Sequence, residues 1–172
     1  TDFQENRARI RLKDRFGFID KVGNVVVDPI YSAATAFKDG IACVQYTGKY
    51  GLIDSTGQFL LQVDVDRMYH PSDGLARIKK DGKFGFVDLT GEMRLAPSFL
   101  AATDFHDGLA AVVAEDAYGL IDQAGTGVLP AEYDQLFYGG EGRWIASKGG
   151  KFGAVDRKGQ FVIPCQFDEM YG

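Results

Sequence analysis

Tryptophan occurs once in this chain, cysteine and histidine twice each, and proline five times. Two cysteines, Cys43 and Cys165, cannot form a disulfide framework, so they read as small hydrophobic fillers. Their scarcity leans the compartment toward the cytoplasm; a periplasmic or secreted site is the alternative if a signal peptide was removed. No apolar run approaches the roughly 20 residues of a membrane-spanning helix, which excludes that form of insertion. Positive charge is also short, with 19 Lys and Arg against 24 Asp and Glu, a net charge of -5. The basic footprint of a nucleic-acid binder is therefore missing. No nucleophile–base pair or metal-ligand cluster emerges, so neither an enzyme nor a cofactor is expected. The chain starts at Thr1 rather than Met, and an upstream segment is expected to have been removed.

What the chain does have is a period. An aromatic–Gly pair recurs every 34 residues, at Phe16-Gly17, Tyr50-Gly51, Phe84-Gly85, Tyr118-Gly119 and Phe152-Gly153. A fixed interval marks a repeat architecture in which stacked units bury one continuous core. The copies read FGFIDKVG, YGLIDSTG, FGFVDLTG, YGLIDQAG and FGAVDRKG. Glycine recurs too often for helical repeats, and the apolar residues alternate instead of falling three and four apart. The fold class predicted is all-β: five tandem β-repeats in one domain over residues 1–172, anchored at Gly17, Gly51, Gly85, Gly119 and Gly153.

Within a unit the first strand alternates, placing Ala8, Ile10 and Leu12 on an inward face and Arg7, Arg9 and Arg11 on the other. The inward pair returns as Ala42/Val44, Ala76/Ile78, Ala110/Val112 and Trp144/Ala146. Trp144 is expected to fill the volume that Ala154 leaves where other copies carry Phe or Leu. A hairpin corner follows at Asp14, Gly48, Gly82, Asp116 and Gly150. The second strand is the aromatic–Gly segment, whose Gly lets a neighbouring backbone or ring approach closely. Asp-x-x-Gly then closes a turn, and a third strand carries Val25/Val27, Phe59/Leu61, Met93/Leu95, Leu129 and Phe161/Ile163 inward. A second corner falls at Asn6, Gly40, Gly74, Gly108 and Gly142, each preceded by an acid. Each unit thus has three strands, with a fourth as the alternative. Phe3 to Asn6 and the tail from Phe167 to Gly172 together make one more copy, which favours a propeller-like closed or strongly curved array. An open β-solenoid of hairpin units is the alternative.

FKDGIACV from Phe37, followed by KYGLIDSTG from Lys49, resembles the WG-repeat (KWG-repeat) family of bacterial proteins, and the likeness extends over the whole chain. The Trp that names the family is Phe or Tyr in all five copies here. The resemblance implies an interaction module and brings no catalytic residue with it.

The recurring acids read as turn formers, and no loop has the ligand density of a calcium site. His70 and His106, in corner loops of neighbouring copies, could face one another near Asp73 and Asp104, but solvated loop histidines are the simpler reading. The ridge of Arg7, Arg9, Arg11 and Arg15 suits an acidic partner, or else solubilises a terminal strand. Residues 63–73 break the repeat most, setting Arg67, Met68, Tyr69 and His70 where other copies differ; Tyr138 and Arg143 flank the matching irregular corner. Exposed Tyr, Met and Arg in such loops fit a protein contact surface. The expected function is a non-enzymatic protein–protein interaction module, an inhibitor or immunity protein being one form of it. The alternative is a small-ligand or glycan binder with equivalent pockets between units.

Overall fold

The structure, a computed structural model, describes residues 3–170. Thr1, Asp2, Tyr171 and Gly172, the last two part of the expected closing tail, lie outside the described residues. The first unit is a three-stranded sheet of β1 (Ala8–Leu12), β2 (Arg15–Ile19) and β3 (Val25–Tyr31). The second unit adds a two-residue leading strand: β4 (Ala33–Ala34), β5 (Ile41–Tyr46), β6 (Lys49–Asp54) and β7 (Phe59–Val63). The third has β8 (Arg67–Met68), β9 (Leu75–Lys80), β10 (Lys83–Asp88) and β11 (Met93–Phe99). The fourth has β12 (Ala101–Ala102), β13 (Leu109–Val113), β14 (Tyr118–Asp122) and β15 (Gly127–Tyr133). The fifth has β16 (Gln135–Gly140), β17 (Arg143–Lys148), β18 (Lys151–Val155) and β19 (Phe161–Phe167). Every pairing is antiparallel and joins strands that follow one another in sequence.

The aromatic–Gly pair is explained by the strand that crosses it. A Cβ on Gly17 would lie 2.5 Å from the Val27 carbonyl oxygen, and one on Gly153 would lie 2.5 Å from that of Ile163. The register slips at this point, pairing Phe16 with Tyr31 but Phe18 with Val27, so the third strand bulges over the glycine. Only hydrogen fits in that gap.

Each of the three inner sheets is covered on both faces, and this overturns part of the alternation reading. Ala42, Val44 and Ile53 face the preceding unit and pack with Phe18, Val27 and Tyr31. Cys43, Leu52 and Leu61, of opposite parity, face the following unit and pack with Met68, Ala76 and Ile78. The third joint sets Phe86 against Ala102, Phe105 and Ala110; the fourth sets Leu120, Leu129 and Tyr133 against Leu136, Trp144 and Ala146. At the outer ends the apolar residues are less covered: Leu12 is 60 % and Ile163 36 % exposed. Val25, Phe59, Met93 and Phe161, expected inward, are exposed, because the register slip pairs each with a residue one step along the second strand from the partner of the next apolar residue, as Val25 with Ile19 but Val27 with Phe18.

Trp144 does not compensate for Ala154. It pairs with Val155 while Ala154 pairs with Ile145, so the two side chains lie on opposite faces of the sheet. Trp144 packs toward the fourth unit, edge-on to Tyr138 at 5.6 Å between ring centroids. In the first hairpin corner Lys13 takes the left-handed backbone, with φ 54°, and neither Asp14 nor Asp116 does.

Candidate binding site

The turn acids come first, because they decide which end of each unit is free. Asp20, Asp54, Asp88, Asp122 and Asp156 each accept backbone N–H bonds from the residues two and four places on. The five carboxylates are thus occupied in their own loops. The second acidic column does more than turn the chain. Asp39, Asp73, Asp107 and Glu141 adopt φ of 50–53°, and the glycine after each is also left-handed. From that corner some acids reach the next unit. Glu5 accepts the N–H groups of Asp39 at 2.6 Å and Gly40 at 2.8 Å, and Asp73 accepts that of Gly108 at 2.8 Å. Asp107 accepts the Tyr138 hydroxyl and pairs with Arg157. The tyrosine hydroxyl, first, and the arginine charge hold its carboxyl below the usual carboxylate range.

His70 serves the remaining corner. Its Nε2 lies 2.8 Å from the Lys38 carbonyl oxygen, across the joint to the second unit. His106 stacks on Tyr138 at 4.7 Å with the rings 10° apart. The two histidines therefore serve different joints and do not face one another. Gly142 N–H approaches the Tyr138 hydroxyl at 3.3 Å, so this tyrosine belongs to the fourth joint.

The arginine ridge turns inward for the same reason as the sheets do: its face looks at the second unit. Arg7 Nε donates to the Ser55 carbonyl at 3.3 Å, and Arg9 Nη1 donates to that of Ala34. The Arg9 guanidinium lies 5.3 Å from the Phe16 ring centroid. Arg11 is exposed and pairs with Asp14 at 2.8 Å; Arg15 is exposed as well. The same construction returns 68 residues later with Arg77, a residue the sequence reading passed over. Arg77 Nη1 donates to the Ala102 carbonyl, and its guanidinium lies 4.0 Å from the Tyr69 ring centroid and 5.5 Å from that of Phe84. Its Nε stands 3.0 Å from Asp104 Oδ1, and as neither atom makes an aligned hydrogen bond, charge holds that pair.

Between these two joints is one with no arginine in that column. The Arg9 and Arg77 column holds Cys43 there, and the second joint opens into a cleft of about 360 Å³. Thr35, Cys43, Tyr50, Asp66, Arg67 and Met68 line it, with Ala33 and Ala34. Cys43 is buried, and burial pushes its thiol up to about 12, so its S–H stays neutral and is directed at the Tyr69 carbonyl, 3.5 Å away. Asp66 is exposed at the mouth, with Oδ2 accepting the Asp81 N–H at 2.7 Å. Arg67 lays its guanidinium over the Tyr69 ring at 5.1 Å.

The irregular segment 63–73 therefore divides. Met68 is buried in the second joint's core, where it forms part of the cleft lining. His70 is engaged in a joint, Tyr69 is half-buried in the cation–aromatic stack, and Arg67 is exposed. Arg143 is exposed at its corner. Missed by the sequence reading were Asp66 and Cys43, while Tyr50 belongs to the repeated aromatic column. The available signal was a 68-residue alternation of Arg9, Cys43, Arg77 and Ala111 within one column. Among the described residues, no three His, Cys, Asp or Glu side chains converge as metal ligands, and no helix is long and apolar enough to cross a membrane.

Five antiparallel sheets, stacked in sequence and joined through their faces, define a propeller-like β-repeat fold. The chain belongs to the WG containing repeat family, whose model matches residues 16–50, 50–84, 84–116, 118–152 and 152–172. No curated protein sequence matches it. Among solved structures it is similar to a eukaryotic initiation factor, with a TM-score of 0.66 at 11% identity over 94% of this chain and 52% of that one. It is also similar to Hsv2 of Kluyveromyces lactis, with a TM-score of 0.57 at 11% identity over 92% of this chain and 58% of that one. The chain thus spans little more than half the length of these structures. At such identity the likeness is one of fold.

Proposed function

We propose that this protein is a non-enzymatic protein–protein interaction module whose contact surface centres on the second joint and the adjoining stack of the third unit. The observation that carries the reading is the cleft lined by Tyr50, Asp66 and Met68. The five turn acids, Arg9, Arg77 and His70 are engaged in the chain's own turns and joints. At this cleft the Asp66 carboxylate, which accepts the Asp81 N–H, and the exposed Arg67 stand beside aromatic surface. A β-repeat scaffold presents such groups pre-organised, so little conformational entropy is lost on binding. The strongly curved, propeller-like array belongs to the same reading; the likeness to longer propeller-like proteins supports it. So does service as an inhibitor or immunity protein in a bacterium, where a rigid face must block one partner.

Glycan binding through equivalent pockets is the weaker reading, since the clefts are dissimilar. One is lined by Tyr133, Phe161, Pro164 and Cys165, another by Asp73, Asp88, Arg94 and Gln123. The test is association with a candidate partner by calorimetry, comparing the native chain with an Arg67→Ala/Tyr69→Ala variant of unchanged Trp144 fluorescence. One partner per chain and a loss of about tenfold or more in the variant support the module, as expected for aromatic and arginine contacts. Saturation by about five glycans per chain overturns it.

A further inference from the structure

We propose that the cleft in the second joint receives an arginine side chain of the partner protein. The inference rests on the interaction-module reading and names the chemistry of its contact.

The chain itself shows what this kind of slot holds. In the first joint Arg9 reaches from its strand to the Ala34 carbonyl while lying against Phe16. In the third, Arg77 reaches the Ala102 carbonyl while lying against Phe84. The second joint keeps the corresponding parts and lacks only the guanidinium. Met68 stands in the column of Ala34 and Ala102, and Tyr50 in that of Phe16 and Phe84; both line the cleft. Cys43 replaces the arginine and leaves its volume open.

Charge follows the same alternation. Where the chain supplies its own arginine, the residue two places before the acceptor carbonyl is Ser32 or Leu100. Where it does not, that position is Asp66 or Asp134. An entering cation thus meets at Asp66 a carboxylate that the filled joints do not place there. Arg67 also lines the cleft, but its guanidinium is drawn onto the Tyr69 ring at 5.1 Å, while Met68 on the other face of the strand packs toward the second unit. A planar guanidinium can lie on the Tyr50 ring and still donate to a carbonyl and a carboxylate. A lysine ammonium, compact and strongly hydrated, cannot do all three.

The probe is N-acetyl-arginine amide, titrated into the ¹⁵N-labelled protein and followed by amide chemical shifts. The expected result is saturable shifts at Cys43, Tyr50 and Met68, with the capped lysine and citrulline counterparts about tenfold weaker or worse. Asp66→Asn should weaken the arginine probe by about tenfold, as loss of a charge-assisted contact does. Cys43→Arg, which gives the joint its own guanidinium, should abolish the shifts; if that variant does not fold, the Asp66→Asn and citrulline arms decide alone. Lysine binding as well as arginine, an unaltered response in Asp66→Asn, or shifts confined to other residues would overturn the proposal. So would binding of free arginine with none of the capped form, since that points to a small metabolite and not to a side chain. The partner titration with the Arg67→Ala/Tyr69→Ala variant is independent of these outcomes. The slot can therefore fail while the module stands.

Discussion

Arg77 and Tyr69 lie 4.0 Å apart, guanidinium carbon to ring centroid, and their contact forms the third unit's side of the third joint. Tyr69 belongs to the segment leading into the third unit, and Arg77 continues past it to Ala102 and Asp104 of the fourth. An Arg77→Ala substitution leaves Asp104 without its counter-charge and the Ala102 carbonyl without a donor. The expected loss is about 2–4 kcal/mol in urea unfolding, the range for breaking a largely buried ion pair. Arg9→Ala, with no carboxylate partner, should cost only about 1 kcal/mol.

The glycines separate two behaviours within one repeat. Gly153→Ala would set a methyl group 2.5 Å from the Ile163 carbonyl oxygen, where only a backbone shift relieves the clash. The expected cost is about 2–3 kcal/mol. At Gly127 a new Cβ meets nothing within 4 Å, so Gly127→Ala should be neutral or stabilise by up to about 1 kcal/mol through the unfolded chain. Thermal unfolding of the two variants side by side checks the contrast.

Much of this was legible in the sequence and some was not. The period, the strand-forming segments and the turn chemistry of Asp20 and its four equivalents follow from local rules, because a tight turn is decided within five residues. The direction of the arginine face was not legible. Alternation reports two faces, but it cannot say that a stacked sheet covers both, so Arg7 and Arg9 looked like a solvent ridge. Trp144 was misread for the same reason: one step along a strand changes the face. The cleft at Cys43 depends on what a neighbouring unit contributes, and one column supplies only half of that contact.

Acid should weaken the fold through the turns. The carboxyls of Asp20, Asp54 and Asp88 are held low chiefly by the side chains of Asn24, Thr56 and Thr90, and that of Asp156 by the Gln160 N–H. A folded value below the unfolded 3.8 means stability that is present above 3.8 and is lost as pH falls through the folded value. The urea midpoint should therefore hold steady from about pH 7 to about pH 5 and drop below about pH 4. An Asp54→Asn/Asp88→Asn variant should show a shallower acid decline.

Thiol chemistry offers a test of the second joint's packing. Cys43 is buried and its thiol is pushed up to about 12, so almost no thiolate exists at neutral pH. Cys165 is half-buried and also raised, by burial first, with Lys148 pulling it back. A disulfide reagent at about pH 7.5 should modify Cys165 slowly and leave Cys43 untouched, whereas both react in urea. Prompt modification of two thiols in the folded protein would contradict the burial of Cys43.

Trp144 supplies the aromatic bulk of the fourth joint. In the first and third joints that bulk comes from Phe37 against Phe18 and Phe105 against Phe86, with ring centroids 4.6 and 4.7 Å apart. The column of Phe37 and Phe105 holds Gly139 in the fifth unit, and Trp144 stands instead where the other units have alanine. Trp144→Ala should therefore cost about 3–5 kcal/mol, since the cavity it leaves lies between two packed sheets. Trp144→Phe is the sharper experiment. The indole Nε1–H is buried and finds no acceptor among the described residues, an arrangement that costs about 1–3 kcal/mol. Removing that N–H offsets part of the lost volume, so the phenylalanine variant should stay within about 1 kcal/mol of the native chain. Far-ultraviolet dichroism must follow its unfolding, because Trp144 is the only tryptophan. A Trp144→Phe variant as unstable as Trp144→Ala would show that the indole nitrogen holds the joint together, and the packing account of the fourth joint would then be wrong.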